Sequence, residues 1–459
     1  MYQINFSSPI HVHFIGIGGI SMSGLAQILI EAGFTVSGSD ARKSPLTQHL
    51  ASMGAAIRYP QMASNITDAI DLVVYTAAIA QDNPEFAAAM EKKIPLMTRA
   101  DLLGQIMRNY KMPIAVSGTH GKTTTTSMVS EVLLAADADP TLSIGGILKS
   151  IQGNIRVGKS DYFVTEACEY TNSFLSFFPR ISIILNVEED HMDFFKDIDD
   201  IRRSFRKFAE LLPADGYLII NRDIDRAEQL IEGLDCHVIT FGASPDADYS
   251  YADAVYDDRG RASYTLVKKG EKCGAISLGV VGAHNILNSL SVIALMDILG
   301  MDRTVVCDAL TTFSGTERRF EHKGEVAGIT ILDDYAHHPT EITATLTAAA
   351  NYPHRALWCV FQPHTYTRTK AFLSDFARAL SLADKVVLTD IYAAREKNTI
   401  GISSRDLLAE LEKTGTECYY FQSFDDIENF LLKNCINGDL LITMGAGDVV
   451  KIGENLLGL

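Results

Sequence analysis

Short apolar runs alternate along the chain with glycine turns and with apolar stripes of helical spacing. His11 to Ile15 predicts a strand, Ser21 to Ala32 a helix and Phe34 to Asp40 a second strand. Asp71 to Thr76 predicts a later strand that ends in a small-residue loop at Ala77 and Ala78. Strands that alternate with helices build parallel sheets, which bind ligands at the carboxyl ends of their strands. The first segment is therefore predicted to be an α/β domain.

The same pattern recurs twice further along the chain. A second set of predicted elements comprises strands at Pro113–Val116, Asp161–Glu166 and Ile181–Asn186, a hairpin excursion between Ala247 and Gly279, and a helix from Val281 to Leu299. The third set comprises strands at Ile329–Asp333, Ala356–Phe361, Lys385–Thr389 and Leu440–Met444. Lys111 to Pro113 is interpreted as a linker. The 459 residues thus suit three α/β domains in series.

One glycine turn stands between a predicted strand and a predicted helix and reads S-G-T-H-G-K-T-T-T-T from Ser117 to Thr126. Such a turn directs backbone N–H groups and the positive end of the helix dipole at one point. Lys122 can reach the outer phosphates of a nucleotide, and Thr123 can ligate Mg²⁺. Val116 replaces the first glycine of the longer motif, so the match is to G-x-x-G-K-T. The predicted triphosphate site is formed by Gly118, Thr119, His120, Gly121, Lys122, Thr123 and Thr124.

A second glycine turn follows the first predicted strand. It resembles the dinucleotide fingerprint G-x-G-x-x-G, with Ser21 at the last glycine position, and Asp40 ends the next strand where a ribose-binding acid belongs. The turn predicts a nucleotide or nucleotide-sugar site, and a purely structural turn is the alternative. The predicted members of this site are Gly16, Gly18, Gly19, Ser21, Asp40 and Thr76.

Acidic and basic residues gather just after the predicted strands. Glu166 and His191 are the candidate Mg²⁺ ligands beside the phosphate loop, although His191 could instead serve as a hydrogen-bonding group. The acidic residues around His191 could equally form a solvated turn; these are Glu188, Glu189, Asp190 and Asp193. In the third domain the predicted site groups are Arg319, His337, His338, His364 and Arg368.

Composition narrows the classes of partner. The formal net charge of −17 argues against nucleic acid or an anionic membrane surface as the main partner. Seven cysteines without a C-x-x-C pair favour a reducing compartment. Neither a signal-like N-terminus nor an apolar run of about 18 residues is present, so a cytoplasmic protein without membrane insertion is expected.

Taken together, these motifs in this order resemble the Mur ligase family over essentially the whole chain. The segments that carry the resemblance are H-F-I-G-I-G-G-I-S-M-S-G, S-G-T-H-G-K-T-T-T-T, N-V-E-E-D-H-M-D, H-N-I-L-N, F-S-G-T-E-R-R-F and D-D-Y-A-H-H-P-T-E. The resemblance implies an N-terminal Rossmann-like UDP-sugar domain at 1–110 and a central P-loop ATPase α/β domain at 111–316. It also implies a C-terminal Rossmann-like α/β domain at 317–459, which binds the amino acid and closes over the site.

The resemblance further implies an ATP-dependent reaction of peptidoglycan synthesis. L-alanine would be joined to the carboxylate of UDP-N-acetylmuramate through an acyl phosphate, with ATP and Mg²⁺ as cofactors, in a monomer or weak homodimer. The implied roles fall into four groups: Lys122 and Arg319 for the transferring phosphate; Asn288, Arg319 and Asp334 for ATP; Thr123, Glu166 and His191 for the metal; His364 and Arg368 for the amino acid. His337 is the expected base, with His338 as its competitor.

Three positions depart from the family pattern. Ser21 stands where many relatives have glycine, which leaves a hydroxyl near the diphosphate. Thr365 stands where some relatives have an arginine, so Arg368 is expected to bind the amino acid's carboxylate alone. Arg206 occupies the place of a lysine that sister ligases carbamylate, which argues against that modification and leaves open whether Lys207 is modified.

The sequence leaves four alternative functions open. The nearest is the related ligase that attaches a recycled tripeptide to the same UDP sugar, from which the N-terminal glycine segment differs. Folate polyglutamylation would leave the UDP-sugar domain unexplained. A nucleotide-regulated binding protein would lack turnover, and an NAD-dependent dehydrogenase is at odds with the Lys122 loop.

Overall fold

The computed structural model describes residues 2–76, 79–394 and 396–459. Their strands form three separate sheets, which follow one another along the chain. The loop predicted at Ala77 and Ala78 lies outside the described residues. None of the helices described is both long enough and apolar enough to span a membrane.

The first sheet has five parallel strands in the order β3-β2-β1-β4-β5. Its elements are β1 (His11–Ile15), α1 (Ile20–Glu31), β2 (Thr35–Ser39), α2 (Pro45–Ser52), β3 (Ala56–Arg58), a 3₁₀ turn (Ala63–Asn65), β4 (Leu72–Tyr75), α3 (Pro84–Glu91), β5 (Leu96–Thr98) and α4 (Arg99–Met107). The three central strands, β1, β2 and β4, are almost wholly buried, as is typical of a parallel sheet.

The central sheet has ten strands in the order β15-β14-β13-β12-β11-β10-β6-β9-β7-β8. Its strands are β6 (Met112–Ser117), β7 (Thr141–Leu148), β8 (Gly153–Arg156), β9 (Tyr162–Ala167), β10 (Ile181–Ile184), β11 (Tyr217–Asn221), β12 (His237–Phe241), β13 (Tyr249–Tyr256), β14 (Arg261–Lys268) and β15 (Glu271–Val281). Its helices are α5 (Lys122–Ala135), α6 (Ile198–Ala209), α7 (Glu228–Ile231), α8 (His284–Leu299) and α9 (Arg303–Thr312), with 3₁₀ turns at Lys149–Ile151 and Tyr170–Ser176. The predicted hairpin excursion is the antiparallel end of this sheet, β13 to β15.

The linker interpretation of Lys111 to Pro113 was wrong for two of its three residues. Met112 and Pro113 begin β6, which lies between β9 and β10. A proline is tolerated at the start of a strand because one missing N–H there costs little. Its carbonyl oxygen still accepts the N–H of Arg180 at 2.9 Å.

The third sheet has six strands in the order β16-β17-β21-β18-β19-β20. Its elements are β16 (Glu321–Val326), β17 (Ile329–Asp334), α10 (Pro339–Ala349), β18 (Leu357–Phe361), α11 (Tyr366–Ala371), α12 (Leu373–Leu380), β19 (Lys385–Leu388), α13 (Ser404–Glu412), β20 (Glu417–Tyr420), α14 (Phe424–Asn434), β21 (Leu440–Met444) and α15 (Val450–Leu457). Among the described strands of this third sheet, only β16 and β17 pair antiparallel.

Two glycines bring the first domain close to the central one. A methyl group at Gly24 of α1 would overlap the side chain of Ile155 in β8. At Gly104 of α4 it would overlap the carbonyl oxygen of Ser176. One apolar cluster accordingly runs from the first domain into the central domain.

Candidate functional site

The glycine turn after β6 is shaped by two residues with positive φ. Gly118 has a φ of +142° and Gly121 a φ of +82°, and side chains at these positions would crowd Leu185 and Asn288. Helix α5 begins directly after Gly121, so its unpaired N–H groups face the loop. The strand and the helix predicted around this loop are both present, which gives it the geometry of an anion-binding turn.

The ammonium group of Lys122 is enclosed rather than exposed. It donates to the carbonyl oxygens of Gly118 at 2.5 Å and Thr119 at 3.0 Å, and to Glu169 Oε2 at 3.0 Å. Burial opposes its charge, but the facing carboxylate of Glu169 holds the pKa of Lys122 above its usual range. Sequence reasoning missed Glu169, although an acid three residues beyond Glu166 at the end of a buried strand is a signal of the same kind.

Oxygen ligands of the type that Mg²⁺ prefers lie beside the loop. Thr123 Oγ1 donates to Glu166 Oε2 at 3.2 Å, and the Gly145 N–H donates to Glu166 Oε1 at 2.6 Å. Burial raises the pKa of Glu166. A cation bound beside it would have the opposite effect and favour the charged carboxylate. A hydroxyl and a buried carboxylate side by side fit a magnesium site.

His191, the other candidate ligand, is connected to the loop through Glu169. Its Nε2 lies 3.6 Å from Glu169 Oε1, and its ring stacks on that of Tyr170 with centroids 4.5 Å apart. A φ of +55°, uncommon outside glycine, aims the side chain into the site. The structure therefore links His191 to Lys122, while Thr123 is linked to Glu166.

A cavity of about 420 Å³ lies between the central domain and the third domain. Part of its wall is apolar, as suits a base, and its polar groups come from both domains. Six of the predicted ATP residues line it, namely His120, Gly121, Thr124, Asn288, Arg319 and Asp334. The other four lie on the phosphate loop outside this cavity: Gly118, Thr119, Lys122 and Thr123.

Two charged groups of the third domain are held at this cavity. Arg319 lies over the ring of Tyr335 at 5.0 Å and donates to Thr123 Oγ1 at 3.4 Å. Asp334 accepts the N–H groups of Phe320 and Ala336, each at 2.7 Å. Burial raises the pKa of Asp334 to about 6 despite the nearby Arg319.

An ion cluster closes the seam between the two domains. His120 Nδ1 lies 3.2 Å from Glu341 and its Nε2 lies 3.6 Å from Glu188. Burial opposes protonation, but hydrogen bonds to Glu188 and Glu341 raise the pKa of His120 to about 9. Thr340 Oγ1 also donates to Glu188 at 3.0 Å. Glu341 was not predicted, because its partners are distant in sequence.

His120, Glu188 and His338 together could offer three metal-ligand atoms within 4.8 Å of one another. Both ring nitrogens of His338 are already used, however: Nδ1 accepts the N–H of Thr340 at 3.3 Å, and Nε2 donates to the carbonyl oxygen of Glu189 at 3.1 Å. Since a metal would have to break these bonds, the group is better explained as an interdomain contact.

The two candidate bases differ in their hydrogen bonding. His337 Nδ1 lies 2.9 Å from the carbonyl oxygen of Tyr335, which can only accept, so Nδ1 carries the proton and Nε2 keeps a lone pair. Burial lowers the pKa of His337, and it lowers the pKa of His338 to about 4. Only His337 retains a ring nitrogen outside the hydrogen bonds described here.

Arg368 crosses the seam to a carboxylate of the central domain. Its Nη2 and Nε donate to Asp190 Oδ1 at 2.8 and 3.1 Å, and its Nη1 lies 3.2 Å from His364 Nδ1. Although burial opposes the charge of Asp190, Arg368 holds the pKa of that carboxyl well below its usual range. Arg368 is thus already paired, a contact the sequence did not predict.

In the first domain the glycine turn is fixed by the end of β2. Gly18 N–H donates to Asp40 Oδ2 at 2.8 Å, and a methyl group at Gly18 would collide with that carboxylate. Gly19 is the N-cap of α1, and Ser21 Oγ accepts from Arg99 Nη1 at 3.0 Å. Gly16 has a φ of +79°, and Thr76 follows β4 at the same edge of the sheet.

Arg206 is held by α6 and by the segment that follows α7. Its guanidinium group donates to Glu210 at 2.8 Å and to the carbonyl oxygen of Glu232 at 2.7 Å. The neighbouring Lys207 is exposed.

The fold and this site define a three-domain α/β protein with a phosphate loop and a cavity between the central domain and the last domain. Profiles described as "Mur ligase family, catalytic domain", "Mur ligase middle domain" and "Mur ligase, glutamate ligase domain" match residues 11–111, 116–296 and 318–447. The chain belongs to the Mur ligase family.

Individual relatives agree with this assignment. A UDP-N-acetylmuramate–L-alanine ligase of Lachnospira eligens is 62% identical over 458 residues, which span 100% of both chains. The crystal structure of a UDP-N-acetylmuramate-alanine ligase from Thermotoga maritima superposes with a TM-score of 0.81 at 30% identity, over 98% of each chain. A murein peptide ligase from Psychrobacter arcticus gives a TM-score of 0.71 at 26% identity, also over 98% of each chain.

Proposed function

We propose that this protein is an ATP-dependent ligase that joins L-alanine to the carboxylate of UDP-N-acetylmuramate in peptidoglycan synthesis. The observation that carries the proposal is the closed seam, where Arg368 of the third domain pairs with Asp190, which lies 3.8 Å from His191 Nε2 beside the phosphate loop. The ring of His337 reaches the same group through His364, with ring centroids 5.6 Å apart. The end-to-end relatedness to a ligase of this name supports the same reaction.

The first step needs charge neutralisation around the phosphates. The muramyl carboxylate is a poor acyl donor, so its oxygen attacks the ATP γ-phosphorus; the bond to the β-phosphate breaks, ADP leaves, and the carboxylate becomes an acyl phosphate. Lys122 and Arg319 stabilise the charge that develops there. We propose Thr123, Glu166 and His191 as the residues that hold Mg²⁺, which would supply further positive charge to the phosphate oxygens.

The second step needs a base and a dry site. The amino group of alanine attacks the acyl carbon, and phosphate leaves from the tetrahedral intermediate. His337 Nε2 takes the proton of the amine, because this nitrogen keeps its lone pair and burial keeps the ring neutral. The contacts across the seam exclude the water that would hydrolyse the acyl phosphate.

Phosphate release tests the proposal. The protein is given ATP, Mg²⁺ and UDP-N-acetylmuramate, with each of a panel of amino acids and with the murein tripeptide. Release that requires the UDP sugar and alanine together supports it, and the panel ranks alanine against glycine and serine. If phosphate is released with the UDP sugar and the tripeptide but with none of the amino acids, the protein is the recycling ligase instead. If no mixture releases phosphate, the protein is a binding protein. We also propose a cytoplasmic monomer or weak homodimer, which sedimentation at graded concentration tests.

Asp40 offers a test of the UDP-sugar site. The change Asp40→Ala removes the acceptor of the Gly18 N–H, so the glycine turn loses its anchor. We expect the KM for UDP-N-acetylmuramate to rise about tenfold while the KM for ATP stays constant. Asp68→Ala is the matched control, because Asp68 lies in the same domain and is 93% exposed. An equal rise in both KM values would point to misfolding rather than to a lost contact.

A further inference from the structure

Glu85, a residue outside the site described above, is completely buried in the first domain. It lies in the first turn of α3, and its side chain is 0% exposed beneath the helix. The same helix contributes Ala88 and Ala89 to an apolar cluster that also contains Ile15 and Val73. A buried carboxylate is costly unless it is fully hydrogen-bonded.

Three separate segments satisfy this carboxylate. Ser39 Oγ donates to Oε2 at 2.5 Å, Asn65 Nδ2 donates to Oε1 at 2.6 Å, and the Met62 N–H donates to Oε1 at 3.3 Å. His13 Nε2 lies 3.5 Å from Oε2. Burial opposes ionisation, but the nearby His13 ring and the hydrogen bonds from Ser39 and Asn65 hold the pKa of Glu85 below its usual value.

The segments that Glu85 joins form the carboxyl edge of the first sheet. The carbonyl oxygen of Ser39 accepts the N–H groups of Gly16 at 2.9 Å and Ile17 at 3.0 Å. The next residue, Asp40, accepts the Gly18 N–H. One side chain thus reaches the residue that holds the glycine turn and, on its other oxygen, the segment from Met62 to Asn65 that follows β3.

His13 is itself oriented from the far side. Its Nδ1 lies 2.9 Å from Ser37 Oγ, which lies 2.8 Å from His11 Nε2, and His11 Nδ1 lies 3.0 Å from the carbonyl oxygen of Ala69. This polar chain runs beneath α3 from the amino end of the sheet to its carboxyl edge. Replacing buried polar groups by well-packed apolar side chains often costs no stability, so we infer that this chain serves positional specificity rather than stability.

We propose that Glu85 is a positioning residue for the UDP-sugar site, which fixes the glycine turn and the Met62–Asn65 segment relative to each other. The proposal rests on the proposed function only in naming UDP-N-acetylmuramate as the ligand. Glu85 does not touch the ligand; it acts through Ser39 and Asn65.

The test is a pair of conservative variants. Glu85→Gln keeps the shape of the side chain but loses its charge, and Ser39→Ala removes the link to the glycine turn. For each we expect the KM for UDP-N-acetylmuramate to rise about tenfold, with kcat and the KM values for ATP and alanine within about twofold of wild type. The effects should not multiply in the double variant, because both changes break one linkage. Glu91→Gln, an exposed change on the same helix, is the control.

Binding of UDP alone, measured by calorimetry, separates this inference from the proposed function. If the wild-type protein binds UDP but shows no turnover, the proposed function fails. The Kd values for UDP of the wild-type and Glu85→Gln proteins then still decide the role of Glu85. Unchanged UDP binding in folded Glu85→Gln protein overturns the proposal, as does an equal loss of UDP and ATP binding. If Glu85→Gln does not fold, Ser39→Ala alone decides by the same criteria.

Discussion

Replacing Lys122 with alanine should lower kcat by about a hundredfold or more, on the order of 3 kcal/mol of transition-state stabilisation. The ammonium group lies at the start of α5, where the N–H groups of the loop and helix converge on one anion. It is the charge best placed to follow the phosphoryl group from ATP to the muramyl carboxylate. Single-turnover measurement of acyl-phosphate formation reports this step directly.

The control for this change must account for Glu169. The side chain of Lys122 is only 16% exposed and that of Glu169 only 2%. Lys122→Ala therefore leaves a buried carboxylate unpaired and can lower stability. The double variant Lys122→Ala with Glu169→Gln removes that charge, so a stable but inactive double variant assigns the loss to chemistry. Lys159→Ala, an exposed change in the same domain, should leave kcat unaltered. Wild-type kcat in folded Lys122→Ala protein would refute the ATP-site assignment.

The second large effect is expected on alanine recognition. Arg368→Ala should raise the KM for alanine by roughly ten- to a hundredfold, from about 1.5–3 kcal/mol for a charge-assisted hydrogen bond. The side chain is 9% exposed and already binds Asp190, so the substrate carboxylate would share the guanidinium group with that residue. Arg368→Lys should be a poor substitute, because lysine lacks the planar fork.

Two further variants separate substrate recognition from domain closure. Asp190→Asn weakens the contact between the domains but keeps the guanidinium group of Arg368. If the KM for alanine rises in Arg368→Ala but not in Asp190→Asn, Arg368 contacts alanine directly. Equal rises in the KM for ATP and for alanine in both variants would mean that the pair only holds the domains together. Arg378→Ala, a change of a 78% exposed arginine on α12, is the control. An unchanged KM for alanine in Arg368→Ala protein would move the amino-acid site toward His337.

Periodicity was most informative where strands are buried on both faces. The runs at His11 to Ile15 and Leu440 to Met444 were predicted with their observed bounds, because short, mainly apolar runs are typical of strands in the middle of a sheet. Strands β3, β5 and β20 were not predicted. They are three or four residues long, lie at sheet edges and are partly exposed, so little in their composition distinguishes them from loops.

The site was predictable as far as each residue could be placed at the end of its own strand. Local motifs located the phosphate loop, Glu166 and the histidine segment after β17. The pairs that complete the geometry join residues far apart in the chain, such as Arg368 with Asp190 and His120 with Glu341. No local pattern encodes such a partner. The choice between His337 and His338 likewise depended on hydrogen bonds that only folding creates.

The glycines at positions 24 and 104 have a consequence for cooperativity. They let one apolar cluster extend from the first domain into the central domain. The boundary near residue 110 therefore separates the proposed UDP-sugar and ATP sites, but the two domains still share part of their apolar packing. The third domain, by contrast, has core clusters made only of its own residues. We therefore expect the first two domains to unfold as one cooperative unit and the third domain to open separately. On this expectation the free energy of opening the third domain, rather than that of unfolding the whole chain, sets how often the site admits and releases its ligands.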